Sequence, residues 1–266
     1  MQHIRASDGI RIAVDVHEGA SGQPRLALIH SLAMDHAFWA PVVERLTAEA
    51  AIVAIDARGH GASDKPLGPY TAERMAADLA DVLDALGWPA AVVAGASMGG
   101  CLALQFAADY PERTQGLGLV DTTAWYGPEA PKDWAARGER ARSQGLASMI
   151  DFQRTRWFSD EFQSAHPEVV ARCVETFVLN DVEAFDATCN MLGRFDGRAS
   201  LAGIRVPTAV IVGEQDYAAP VAMAEALRDG IAGAQLTVIP GARHLTPLET
   251  PDVVVGELRR LLQMAA

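Results

Sequence analysis

The sequence is poor in cysteine, in basic residues and in long apolar runs. Its three cysteines, Cys101, Cys173 and Cys189, are too few and too irregularly spaced for a disulfide framework. There is no CxxC pair and no Cys/His cluster with ligand spacing, so three reduced thiols and no metal site are expected. The 34 acidic residues outnumber the 22 basic ones, giving a net charge of −12. Such a chain is a poor partner for nucleic acid or an anionic membrane, although a net charge does not describe a cleft. No apolar run approaches the roughly 18 residues of a membrane span, and the opening MQHIRASDGIRIAVDVHEG carries no basic-then-apolar leader. A cytoplasmic protein with no membrane partner is the expectation. Repeats and low-complexity tracts are also missing. What remains is a chain of 266 residues, 50% hydrophobic, long enough to bury a large core in one or two domains.

Apolar and polar residues alternate from Ile10 to Val16 after an Asp8-Gly9 turn signal, which predicts an opening antiparallel hairpin with a two-residue turn. Later apolar runs do not alternate: Leu26–His30, Ala51–Asp56, Ala90–Gly95, Gly116–Asp121, Val206–Gly213 and Gln235–Pro240. Unbroken short runs suit strands buried on both faces. Helical patterns lie between them. Met75, Leu79, Val82, Leu83 and Leu86 make one apolar stripe, stopped by Gly87. Val254, Leu258 and Leu261 make another, after Thr250 as N-cap and Pro251 at the first helical position. This alternation predicts an α/β fold, a mostly parallel sheet with helices on both faces.

Residues 122–200 break the alternation. They show helical patterns without a strand, yet hold 10 of the 17 aromatic residues and 8 of the 20 arginines. Inserted between two strands, such a block is expected to form a helical lid over the carboxyl edge of the sheet, where open α/β sheets bind ligands. The core domain would then comprise residues 1–121 and 201–266.

The strongest chemical signal is Gly95-Ala96-Ser97-Met98-Gly99, set between the apolar run Ala91–Ala94 and the helical pattern Cys101–Tyr110. A strand–turn–helix around GxSxG is the context of a nucleophile elbow. Its serine sits in a strained turn, and the glycines leave room for it. A serine hydroxyl needs a base and an orienting carboxylate, which in this arrangement follow in the order acid, then histidine. Only His166 and His244 follow Ser97. His166 lies in the helical block, whereas His244 follows the last apolar run in a short loop, and is preferred. Asp216, just after the run ending at Gly213, is the preferred acid. Asp121, at the end of the preceding strand, is the competing choice, or else a cap. Asp181 and Asp186 are expected to be solvated, His60 structural, and Cys101 a small buried filler. The oxyanion donors would be the backbone N–H groups of Met98 and of Leu32, in the loop after the first parallel strand.

Taken together, His30-Ser31-Leu32, Asp56-Ala57-Arg58-Gly59-His60-Gly61-Ala62-Ser63, the elbow, Gly213-Glu214-Gln215-Asp216 and Gly241-Ala242-Arg243-His244 resemble the α/β-hydrolase superfamily over nearly the whole chain. The resemblance implies the α/β-hydrolase fold and a Ser–His–Asp hydrolase with no cofactor. Within it, Ser31-Leu32, Gly-Ala-Ser-Met-Gly-Gly, Arg156-Trp157-Phe158 and Asp196-Gly197-Arg198 look most like the 3-oxoadipate enol-lactonases, which open a carboxylate-bearing lactone in aromatic catabolism. Those enzymes carry Asn-Ser-Leu-Gly where this chain has His30-Ser31-Leu32-Ala33. The expected substrate is a small ester or lactone, an anionic one if Arg137 or Arg156 holds a carboxylate between the apolar walls Trp134 and Trp157. The same triad would serve a broad-specificity carboxylesterase or a cofactor-free perhydrolase of haloperoxidase type, and the same scaffold a non-enzymatic ligand receptor. Self-association into a homo-oligomer stays open.

Overall fold

Residues 1–265 are described by a computed structural model. The chain opens with the predicted hairpin, β1 (Gln2–Arg5) paired antiparallel with β2 (Arg11–His17). Its turn is longer than the Asp8-Gly9 pair suggested. Ala6 N–H donates to the Ile10 carbonyl and Gly9 N–H to the Ala6 carbonyl, so three residues, Ser7 to Gly9, make the loop. Each later apolar run overlaps a strand, with bounds that differ by up to two residues: β3 (Arg25–Ile29), β4 (Ala51–Ile55), β5 (Ala91–Ala96), β6 (Thr114–Val120), β7 (Thr208–Gly213) and β8 (Gln235–Ile239). β5 and β7 are buried along their whole length, while the edge strand β8 is partly exposed.

The eight strands form one sheet in the order β1-β2-β4-β3-β5-β6-β7-β8. Pairing is parallel from β4 to β8 and antiparallel where β1 and β2 join. After β3 the chain steps outward to β4, then crosses back to β5. The order therefore reverses between β3 and β5, and ligands in such sheets sit in the crevice beyond that reversal. Ile29↔Gly95 is the last β3–β5 pair, so the loops starting at His30 and Ser97 flank the crevice.

Helices α1 (Ala40–Leu46), α2 (Ala72–Ala85) and α3 (Met98–Asp109) follow β3, β4 and β5. Between β6 and β7 come five helices and no named strand: α4 (Ala130–Gln144), α5 (Ile150–Trp157), α6 (Asp160–Ala165), α7 (Pro167–Val178) and α8 (Val182–Arg194). The chain finishes with α9 (Val221–Gly230), the single-turn α10 (Thr246–Glu249) and α11 (Pro251–Ala265). α1 packs on α11, and α2 on α3. Thr250 does precede α11, but its hydroxyl donates back to the Thr246 carbonyl at 3.2 Å. Asp181 is exposed, as expected, whereas Asp186 is half-buried. Asp181 caps α8, accepting from Ala184 N–H at 2.8 Å, and Asp186 lies 3.3 Å from Arg142. No described helix is long and apolar enough to cross a membrane.

Candidate active site

Ser97 stands where β5 turns into α3. Its φ of 52° and ψ of −114° are strained for a residue with a side chain, at a cost of about 1–3 kcal/mol. Close packing holds the turn there. A Cβ on Gly95 would strike the Gly99 carbonyl, and one on Gly99 the Ile29 carbonyl. Ser97 N–H donates to the Val120 carbonyl at 2.8 Å, and the Ser97 carbonyl accepts from Thr122 Oγ1 at 2.7 Å. The hydroxyl is thereby lifted above the sheet edge.

His244 and Asp216 meet it there. His244 Nε2 lies 2.9 Å from Ser97 Oγ, and His244 Nδ1 lies 2.7 Å from Asp216 Oδ2. With Asp216 ionised, Nδ1 carries the proton and Nε2 is left to accept from the serine. Asp216 is buried, which opposes its charge, but His244 and the N–H groups of Ala218 and Ala219 outweigh burial and hold the carboxyl below its usual range. The loops that carry Asp216 and His244 touch backbone to backbone: a Cβ on Gly213 would collide with the Arg243 carbonyl.

Asp121 does not reach His244. It is fully buried, and its Oδ1 accepts from Gly213 N–H at 3.2 Å. Its Oδ2 accepts from Thr246 N–H at 3.0 Å and from the Thr246 hydroxyl at 2.7 Å. Burial and the neighbouring charge of Asp216 raise its carboxyl well above the usual range. It is more than a simple cap, because it ties the end of β7 to the loop that carries His244.

The loop after β3 is fixed by His30. Its Nε2 accepts from Ala57 N–H at 3.0 Å, so Nδ1 carries the proton and donates to the Ser31 carbonyl at 2.7 Å. Burial holds His30 neutral, and burial with His30 alongside pushes His60 down to about 3. The two rings lie 5.1 Å apart. Among the described residues, the loop and turn bonds use neither the Leu32 nor the Met98 N–H as a donor.

Ser97 and His244 open into a cavity of about 230 Å³, whose walls include Leu32, Tyr126, Trp134, Arg137, Arg156 and Trp157. Arg137 lies over the Trp134 ring at 4.9 Å, and its Nε is sealed from solvent without a partner. Burial lowers its affinity for its own proton. Arg156 is more committed: it lies over Phe152 at 4.3 Å and donates to the Tyr217 carbonyl at 3.1 Å. The carbonyls of Arg156 and Trp157 also accept from the N–H groups of His244 and Leu245, so this stretch braces the base loop.

His166 stays out of the site, exposed and 3.6 Å from Glu168. Cys101 is buried and its thiol pushed up to about 11. Tyr126 went unmarked in the sequence because no motif frames it. Only the path of the chain after β6 brings it to Ser97. Among the described residues no cluster of three or more His, Cys, Asp or Glu side chains converges as a metal site would require.

The profile of the alpha/beta hydrolase fold family matches residues 24–251, and the chain belongs to that family. More particularly, it is similar to 3-oxoadipate enol-lactonase 2 of Acinetobacter baylyi, with 32% identity across 88% of this chain and 86% of the relative. The crystal structure of the enol-lactonase from Burkholderia xenovorans LB400 superposes with a TM-score of 0.94 at 31% identity, covering 98% of this chain and all of the other. A thermophilic esterase from Thermogutta terrifontis, solved with malate bound, gives a TM-score of 0.92 at 30% identity over 99% of this chain and 98% of its own.

Proposed function

We propose that this protein is a serine hydrolase of small carboxylate-bearing lactones or esters, with residues 122–200 as its lid. The Ser97–His244–Asp216 chain, opening into a walled cavity, is the observation that carries the reading. Ser97 Oγ attacks the carbonyl carbon while His244 Nε2 takes its proton. The C–O bond to the leaving oxygen then breaks, and that oxygen receives the proton from His244. Water, deprotonated by His244, releases the acyl group and restores Ser97. Asp216 holds the imidazole in the productive tautomer and stabilises its charged form. The Met98 and Leu32 N–H groups receive the oxyanion.

Arg137 supports an anionic substrate. Its side chain lines the cavity with Ser97, where a substrate carboxylate would meet the guanidinium through a charge-assisted contact. The enol-lactonase relatives favour a lactone, whose leaving oxygen stays tethered to the acyl group. The esterase with malate bound keeps an open ester of a small acid as the second reading.

A panel of lactones and esters, with and without a free carboxylate, tests this by released product, with Ser97→Ala as the blank. Turnover of anionic lactones in preference to neutral esters is expected. Turnover that persists in Ser97→Ala would sink the serine mechanism. Tight binding without turnover by the intact chain would instead make the protein a receptor.

A further inference from the structure

Tyr126 has a place in the cavity that the triad does not use. It sits five residues beyond Asp121, in the segment that follows β6, and shares the cavity wall with Ser97 and His244. Its ring meets Trp134 edge to face, with centroids 5.2 Å apart and planes at 75°. The hydroxyl is placed differently from that of Tyr70, which donates to the Pro66 carbonyl at 2.8 Å. Among the described residues, the Tyr126 hydroxyl bonds no backbone carbonyl. The Cys101 thiol approaches it at 3.9 Å as a weak donor. Its O–H is therefore free to serve a group in the cavity.

Sheet order says which group. β5, which leads into Ser97, lies between β3 and β6. The loop with Leu32 follows β3 on one side. Tyr126, Asp216 and His244 follow β6, β7 and β8 on the other. A carbonyl oxygen turned toward the Leu32 and Met98 N–H groups points the scissile C–O bond away from them, to the side of β6 and His244. We propose that the Tyr126 hydroxyl donates a hydrogen bond to the leaving oxygen of the ester or lactone as its bond to the acyl carbon breaks. Tyr126 keeps its own proton. The proton that finally rests on the leaving oxygen is the one His244 took from Ser97. The role rests on the serine-hydrolase reading above and adds a second donor at the atom where negative charge grows. Burial raises the phenol well above its ordinary value, so it stays an O–H donor.

Tyr126→Phe keeps the ring and its contact with Trp134. The test compares kcat/KM of the full-length wild type and variant on 4-nitrophenyl, 4-chlorophenyl, phenyl and 4-methylphenyl acetate. Labelling of Ser97 by a 4-nitrophenyl phosphonate is followed in parallel. A nitrophenolate leaves with little help, so its loss is expected to be small. The loss should grow with leaving-group basicity, to about ten- to a hundredfold on the poorest leaving group, as expected for a hydrogen bond to a charged atom. Equal activity of the two proteins, or one uniform loss on all four esters, overturns the assignment while leaving the hydrolase reading standing. A wild type that neither hydrolyses the acetates nor is labelled at Ser97 overturns both.

Discussion

One carboxylate oxygen of Asp121 accepts two hydrogen bonds from Thr246, from the backbone N–H at 3.0 Å and from the hydroxyl at 2.7 Å. The other oxygen accepts from Gly213 N–H. Gly213 begins the turn to Asp216, and Thr246 lies two residues past His244. One buried side chain thus sets the spacing of the two loops that position the imidazole.

Asp121→Asn should accordingly be harmful, where a loop cap would have been dispensable. All three partners are donors, so an amide must set an N–H₂ against an N–H at one end. A loss of about 1–3 kcal/mol in stability is expected from one unsatisfied buried group, with a lower kcat. Thr246→Ala, which keeps the backbone bond, should cost less on both counts. Urea unfolding and steady-state kinetics on the same preparations check the ranking. Wild-type stability in Asp121→Asn would remove the tie from the argument.

Ser97→Ala and His244→Ala should each abolish most turnover and leave the fold intact. Triad residues act as a unit, so the double variant is expected to be little worse than either single one. Strictly additive losses in kcat would show that the two do not work together.

Asp216→Asn should lower kcat by about 10⁴, because the amide favours the wrong imidazole tautomer. Asp121→Asn is expected to fall well short of that. Kinetics that reverse the two would move the acid to Asp121.

Arg137→Ala should cost about ten- to a hundredfold in kcat/KM on an anionic lactone and almost nothing on its neutral methyl ester. Arg156→Ala is expected to lose less, because its guanidinium is already engaged by the Tyr217 carbonyl and Phe152. Equal losses on both substrates would indicate a damaged lid instead of a lost carboxylate contact.

Stability should fall on mild acidification. His60 is pushed down to about 3 by burial and by His30, from an ordinary 6.5. Between those limits the unfolded chain binds a proton that the folded one refuses. The stabilisation is therefore present above pH 6.5 and is lost as pH falls toward 3, by about 2 kcal/mol at pH 5 for this residue alone. His30 is shifted the same way by burial. His36, raised by its bond to Asp56, acts in the opposite sense. Urea midpoints at pH 7.5 and 5.0 should differ less in His60→Gln than in wild type. The same pH dependence in both proteins would clear His60.

The sequence by itself determined the strands and the elbow. Apolar runs, capping residues and the Gly95–Gly99 turn are encoded in windows of a few residues, and steric limits on the backbone make those windows decisive. The chain order of acid and histidine also pointed to Asp216 and His244, which the fold brings to Ser97. Tertiary structure decided the rest. Asp121 and Thr246 are 125 residues apart, and no local pattern announces that one holds the other. Arg156 and Trp157 looked like substrate contacts, yet their carbonyls also brace the base loop. Tyr126 carries no motif at all. Such roles depend on which strands lie side by side and which loops meet above them. That order is fixed by packing summed over the whole core, and no short window of residues records it.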